Sequence, residues 1–232
     1  MDSKALVILS LLLFLGSCNS EPRRTVQSGE KTIIGIDVSH HQGTIDWVKV
    51  KEQMPNLAFV YVKASEGEDY VDPKFLTNAK GASAQGYRIG AFHYFRMTSS
   101  PRAQFRNFKR QMDKVQLDLI PMVDVEVSDG KPRHEVQDSL RVLLTLLEKE
   151  YGMRPILYGT NRSYNELCAP EFNNYPLYIG RYGNDKPIVI GPSHYMIWQY
   201  TDKGRISGIP KPVDLCRFHD DYSIRDIQIN RH

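Results

Sequence analysis

The chain has 232 residues, 41% of them hydrophobic and 25% charged, with a formal net charge of +3 at pH 7. That length and apolar content suit one globular domain and leave no need for a second core. Setting aside Asp2 and Lys4 of the first segment leaves the charge at +3, too small to mark a nucleic-acid-binding surface.

The first segment reads as an export signal. Lys4 precedes an apolar run, Ala5 to Leu15, which is too short to cross a bilayer as a mature helix and suits a signal h-region. Its end, Leu15-Gly16-Ser17-Cys18, resembles the bacterial lipobox, in which the cysteine is lipidated and becomes the new N-terminus. Residues 1–17 are then a lipoprotein signal peptide. The polar stretch Asn19 to Lys31 makes residues 18–31 a flexible tether carrying lipidated Cys18. The competing reading is an ordinary signal peptide with a chance cysteine. A lipid-anchored protein of the bacterial cell envelope is expected, on the periplasmic side or at the outer membrane. Beyond Cys18 only Cys168 and Cys216 remain, and either a disulfide or two free thiols is compatible with export.

From residue 32 to residue 232 the pattern predicts one folded domain. Thr32–Ser39 is a strand and the region around Asp46–Gln53 a helix. Leu57–Ser65 is the next strand, followed by a helix opened by Asp72 as N-cap with Pro73 at its first position and closed by Gly86. The strand Tyr87–Phe95 leads to a helix starting at Ser100-Pro101, with an apolar stripe of Phe105, Phe108, Met112 and Val115. Asp118–Val127 contains the fourth strand. Its helix, Arg133 to Tyr151, buries Val136, Leu140, Leu143, Leu144 and Leu147, and Gly152 ends it. Arg154–Thr160 is the fifth strand, with a short helix near Arg162–Leu167.

Repeating strand-helix units place parallel strands inside a layer of helices. The repeat then stops. Between Pro176–Tyr182 and His194–Thr201 lies a Gly- and Pro-rich link, residues 183–193. A helical crossover needs a dozen residues or more, so the strands holding Tyr178 and Trp198 are expected to pair antiparallel, and Pro212–Phe218 adds a last short strand. The fold class expected is α/β, an irregular barrel of about eight strands related to the (β/α)8 barrel, with its last strands antiparallel.

The fourth strand carries an unusual face. In Pro121-Met122-Val123-Asp124-Val125-Glu126-Val127 the two acids alternate with valines, so Asp124 and Glu126 point one way and the valines the other. Two carboxylates in one small space raise the pKa of one of them, which keeps an acid protonated beside an ionised neighbour. Asp37, ending the first strand, and Asp214, in the last, fall at comparable places, and barrels of this kind carry their reactive groups where strands end. Around them Tyr61, Lys63, Glu66, His93, Tyr94, Tyr158, Tyr182, Trp198 and Tyr200 provide the ring faces and hydroxyls that a sugar surface needs. No metal site is expected: His40 and His41 are adjacent and should point apart, and no Cys/His spacing of the zinc type occurs. No cofactor is implied, and the chain is read as a monomer.

Seven stretches then occur together in one order: GIDVSHHQG (Gly35–Gly43), FVYVKASEG (Phe59–Gly67) with YVDPKF (Tyr70–Phe75), IGAFHYF (Ile89–Phe95), PMVDVE (Pro121–Glu126), ILYGT (Ile156–Thr160), IWQYT (Ile197–Thr201) and VDLCRF (Val213–Phe218). This order resembles the family 25 glycoside hydrolases, lysozymes that cut the β-1,4 bond between N-acetylmuramic acid and N-acetylglucosamine in peptidoglycan. The resemblance runs from Ile33 to about Phe218. It implies five βα units followed by β-strands, and an active site lined by Asp37, Asp124, Glu126 and Asp214 with Glu126 as the acid. Two places depart from the family's pattern: Tyr178, where a Trp is common, and Cys216, where an Asn is common.

Glycoside cleavage develops positive charge at the anomeric carbon and negative charge on the leaving oxygen, so it needs a proton donor by one and an anion by the other. Glu126, with the longer side chain, suits the donor. Asp124 then stabilises the cationic centre or orients the substrate's 2-acetamido group as an internal nucleophile, and Asp37 and Asp214 tune and orient. Attack by the acetamido group, by Asp124 or by water stays open at this level. Two other readings compete: a barrel glycosidase for another glycan, and a non-catalytic cell-wall-binding module, which would have been signalled by loss of an acid.

Overall fold

Period-two alternation of small, acidic and aromatic residues against branched aliphatics builds the strands of this protein, and its computed structural model describes residues 32–229. The export signal, Cys18 and the tether lie outside the described residues. The strands are β1 (Ile34–Val38), β2 (Phe59–Glu66), a two-residue β3 (Tyr70–Val71), β4 (Arg88–Tyr94), β5 (Met122–Asp124), β6 (Ile156–Thr160), β7 (Leu177–Gly180), β8 (Ile197–Gly204) and β9 (Val213–Phe218). The helices are α1 (Trp47–Gln53), α2 (Phe75–Ala84), α3 (Pro101–Met112), α4 (Arg133–Tyr151) and α5 (Asn161–Ser163), the last running into a widened π-type turn, Tyr164–Cys168. Helices follow β1, β2, β4, β5 and β6, and none follows β7 or β8.

Hydrogen bonding runs in the order β1-β9-β8-β7-β6-β5-β4-β2 and closes through β1–β2, so eight strands form a barrel with β3 hanging on β2. Inward residues along the strands, among them Phe59, Tyr61, Met122, Ile156, Tyr158, Tyr178, Ile197, Cys216 and Phe218, form one apolar cluster. Outward residues such as Ile36, Val60, Val62, Val123, Leu157 and Ile179 join the helices in a second. The stripe of α4 is buried as its period predicts, with Val136, Leu140, Leu143, Leu144 and Leu147 against the barrel and Gly152 in a left-handed turn at φ 69°. Two interior positions must be glycine. A Cβ on Gly35 would lie 2.2 Å from the Phe59 ring, and one on Gly90 2.2 Å from the Tyr61 ring. The rings take the space that side chains on β1 and β4 would otherwise fill.

Several expectations are corrected. β8 runs parallel to β7, pairing Tyr178 with Ile197 and Ile179 with Trp198, so no hairpin joins them. Measured between strand ends, residues 181–196 are long enough to return along the barrel, and they do so as extended chain without a helix. Side-chain amides supply what a helix would have bonded internally: Asn161 accepts from the Ile188 N–H at 2.7 Å, Asn165 donates to the Ile188 carbonyl at 2.7 Å and accepts from the Ile190 N–H at 2.9 Å, and Asn173 donates to the Ile190 carbonyl at 2.9 Å. Within the closed barrel β9 is the strand that runs antiparallel, to β8 and to β1, and the short β3 flap is antiparallel to β2.

Other corrections are local. The helix after β2 begins at Phe75, and Asp72 is not its cap; the buried Asp72 carboxylate instead accepts from the His40 backbone N–H at 3.0 Å and pairs with His40 Nδ1 at 2.8 Å. His40 and His41 do not point apart: in a 3-10 turn their rings come within 3.9 Å of each other. On α3 the buried face is Gln104, Asn107, Phe108, Gln111 and Met112, because this helix lies over backbone groups that need amide partners: Gln104 donates to the Arg96 and Ser99 carbonyls, and Asn107 to those of Gly67 and Tyr70. Strand β5 ends at Asp124, with Val125 N–H still bonded to the Tyr158 carbonyl. Cys168 and Cys216 are both buried free thiols.

The amide clip on the β7–β8 crossover is testable. Asn165→Ala removes both of its bonds to the Ile188–Ile190 backbone and is expected to lower the unfolding free energy by about 1–2 kcal/mol, read by chemical denaturation, with faster exchange of the Ile190 amide.

Candidate active site

Six parallel ladders and the reversed β9 bring the acids together. Asp37 lies near the C-terminal end of β1, Asp124 ends β5, and Glu126 follows two residues later. Strand β9 enters from the same end because it runs backwards, which sets Asp214 directly opposite Asp37. Asp124 stands between Tyr94 on β4 and Tyr158 on β6. All four are inward positions, as the alternation predicts.

A hydrogen-bonded chain fixes them. Oδ2 of Asp37 accepts from the Tyr178 hydroxyl and from Gln199 Nε2 at 2.9 Å. Oε1 of Gln199 accepts in turn from Tyr158 at 2.8 Å and from Tyr182 at 3.0 Å. Tyr94 and Tyr158 lie against the Glu126 carboxyl and favour its ionised form. Among the described residues, Oδ1 of Asp37 and Oδ1 of Asp124 are the buried carboxylate oxygens without a partner.

Burial dominates the electrostatics. It pushes Asp37 up to about 6 against the bonds from Tyr178 and Gln199, and Asp214 up to about 7 with help from Asp37, Asp202 and Glu126. Asp124 is raised well above the carboxylate range by burial first and the Glu126 charge second, while Lys63 opposes. Glu126 is raised too, by burial, against Lys63 and its two tyrosines. The Asp124–Glu126 pair therefore retains a proton far above the usual carboxylate range, and the deeper burial of Asp124 favours that residue as its resting place.

Lys63 and Glu66 meet at the rim, paired at 2.7 Å, with the Lys63 ammonium 4.9 Å from the Tyr94 ring centroid. Glu66 continues to Arg96 at 3.2 Å and Arg96 to Asp129 at 2.8 Å. Asp129 has left-handed backbone, φ 49°, tied down by that pair and by the Met97 N–H at 2.7 Å. Tyr61 is inward but fully buried, its hydroxyl donating to the Ile120 carbonyl, so it forms floor and not wall. Tyr182, 50% exposed, stands over the opening.

Three residues expected around the sugar point the other way. His93 is wholly buried between β4 and α3, its ring nitrogens engaged by Ser65 at 2.9 Å and Gln104 at 3.0 Å, and burial lowers it to about 4. Trp198 donates to the Arg181 carbonyl at 2.7 Å under the Arg217 guanidinium, and Tyr200 packs beside it on the outer face. The reason is parity: Gln199 lies between them and takes the inward place. Gln199, Tyr178 and Arg96 join the site although they are not among the residues expected there; counting alternate residues from the inward Ile197 reaches Gln199, and Tyr178 lies beside Tyr158 in the ladder.

Glu126 lines a groove of about 480 Å³ that continues past Ser128, Asp129, Thr160, Arg162 and Glu166. Of the four acids Glu126 is the one that lines this groove, and an acid of a proton-holding pair that reaches an open groove is equipped for general acid work on an extended substrate. The sequence from residue 36 to 209 matches the model of glycosyl hydrolases family 25. This chain belongs to that family. It is 36% identical over 191 residues to the YegX protein of Escherichia coli K12, covering 81% of this chain and 70% of that one. It is 30% identical over 186 residues to the autolytic lysozyme of Clostridium acetobutylicum, covering 80% and 56%. A solved family 25 glycosyl hydrolase from Bacillus anthracis superimposes with a TM-score of 0.73 at 32% identity, over 82% of this chain and 93% of that one. The family 25 barrel found here is thus a glycoside hydrolase, and its fold is the one its neighbours share.

The acid cluster carries a cost in stability. A folded pKa of about 7 for Asp214 against the ordinary value of 3.8 means that the folded state binds the extra proton, so stability falls as pH rises from 4 through 7. Asp214→Asn is expected to raise the unfolding free energy at pH 8 by about 1–2 kcal/mol, allowing for partial solvent screening, with the gain vanishing below pH 4. Denaturation curves at the two pH values check it.

Proposed function

We propose that this family 25 enzyme is a lysozyme that cleaves the β-1,4 bond between N-acetylmuramic acid and N-acetylglucosamine in peptidoglycan, with Glu126 as general acid. The observation that carries the assignment is the division between two neighbouring acids. Glu126 lines the open groove, whereas Asp124 is buried behind it with one oxygen unpartnered. A leaving oxygen reaches the first; the anomeric centre or the 2-acetamido group faces the second.

Proton placement follows from what substrate brings. In the free protein the deeper burial of Asp124 favours the proton there. A developing cation, or an acetamido N–H set against the Asp124 carboxyl, stabilises its anion and leaves the proton on Glu126, where the leaving oxygen needs it. Asp37 and Asp214 orient and tune this pair. Lys63, Glu66, Tyr94, Tyr158 and Tyr182 contribute the wall of the sugar site. The names of relatives such as the Clostridium acetobutylicum autolytic lysozyme support this substrate class.

Glu126→Gln keeps the shape and removes the transferable proton, so turnover of purified peptidoglycan should fall by about 10²–10⁴-fold, while retention of the protein on the insoluble glycan persists. Asp124→Asn should lose activity through loss of the anion. Reducing-end release and pull-down, measured side by side, decide it: wild-type turnover in Glu126→Gln removes the assigned acid, and binding without reducing-end release by the unmutated protein replaces the lysozyme with a binding module.

Cys18 is the lipidation site in this reading, and residues 18–31, about 50 Å when extended, let the barrel work at the wall from a membrane anchor. Acyl chains on one cysteine exceed the two lipid signals that stable anchoring requires. Metabolic labelling with a clickable fatty acid should mark the unmutated protein and not Cys18→Ala; equal labelling of both sinks the lipoprotein assignment.

A further inference from the structure

The two positions that depart from the family pattern, Tyr178 and Cys216, meet in space. Tyr178 is an inward residue of β7, fully buried, edge-packed on Tyr158 with ring centroids 5.2 Å apart. Its hydroxyl donates to Oδ2 of Asp37 and lies beside the Cys216 thiol. Gln199 Nε2 donates to the same Oδ2 at 2.9 Å, which leaves Oδ1 of Asp37, within a residue only 5% exposed, without any partner. A buried carboxylate oxygen so placed is costly unless something binds it.

We propose that Tyr178 is a positioning residue of the active site: by donating to Oδ2 it locks the orientation of the Asp37 carboxyl beside Asp124. The inference rests on the lysozyme reading for its catalytic consequence and on the hydrogen-bond geometry alone for the lock. The groups that face Asp37 are Tyr61 from β2, Asp124 from β5, Tyr158 from β6, Gln199 from β8, and Asp214 with Cys216 from β9. Within this ring Tyr178 and Gln199 are the donors that favour the anion, while burial opposes it and leaves Asp37 at about 6. The Asp37 charge is in turn one of the causes that raise Asp124 and Asp214. Tyr178 thereby acts on the reacting pair through Asp37, without touching substrate.

The test is Tyr178→Phe, which keeps the ring and removes the donor. Loss of a bond to the charged form raises the Asp37 pKa; a rise of one unit leaves about tenfold less Asp37 anion at pH values below it. Carbon-13 carboxyl NMR should show Asp37 titrating higher in the variant than in the unmutated protein. The acid limb of kcat/KM on solubilised peptidoglycan fragments should move up in pH by the same amount, through kcat with KM little changed, while the far-UV spectrum and alkaline limb stay in place. An unmoved Asp37 titration overturns the lock, and a moved titration with an unmoved acid limb overturns its catalytic role. If the variant does not fold, the unmutated protein still decides: a Tyr178 hydroxyl proton far downfield and slow to exchange is expected, and its absence overturns the proposal. An unmutated protein that releases no reducing ends removes the lysozyme reading, while the titration continues to judge the lock.

Discussion

Closure of the barrel through β1 is the constraint on which the site depends. That strand is held on one side by parallel β2 and on the other by antiparallel β9, so the sheet has no free edge except the short flap of β3. The reversal of β9 has a chemical result. A strand running parallel would have begun at the opposite end of the barrel and carried Asp214 away; the antiparallel β9 brings it face to face with Asp37. The acid cluster is a product of topology as much as of residue choice.

Closure also dries the site. Beneath the acids the barrel is plugged by Phe59, Tyr61, Met122, Ile156 and Phe218, with Phe59 edge-on to both Tyr61 and Phe218 at 6.1 and 5.4 Å. Water cannot approach from below, and carboxyls over such a floor pay for desolvation by holding protons: Asp37 sits at about 6 and Asp214 at about 7. The arrangement that destabilises the folded state at neutral pH is the one that keeps a transferable proton there. At the rim the logic changes. Lys63, Glu66, Arg96 and Asp129 form a chain of ion pairs whose two ends, Lys63 and Asp129, are largely buried and whose middle is partly hydrated; it holds the rim in one geometry.

The helical layer tolerates unusual faces for a related reason. α4 packs a purely aliphatic stripe, whereas α3 buries Gln104, Asn107 and Gln111. The loops after β2 and β4 leave carbonyls that the amides of α3 satisfy, and a buried carbonyl without a partner would cost more than a buried amide with one. The same device recurs in the β7–β8 crossover, where Asn161, Asn165 and Asn173 do for extended chain what a helix does for itself.

Periodicity along the chain was enough to determine the strand and helix sequence, the buried stripe of α4, and the shared face of Asp124 and Glu126, because each is a property of neighbours within a few residues. Seven ordered motifs, matched in this chain, identified the family. The direction of β8 was not legible, since a Gly- and Pro-rich link of residues 183–193 admits either a turn or an extended return, and side chains from α5 and the turn after it decide between them. Nor was the outward aim of His93, Trp198 and Tyr200: a residue near a strand end faces the site or the helices according to one step of register, and residue type does not reveal which. The bond from Tyr178 to Asp37 spans 141 positions of sequence. No local pattern carries such a contact, and the proton affinities of the four acids follow from burial, which exists only once the barrel has closed.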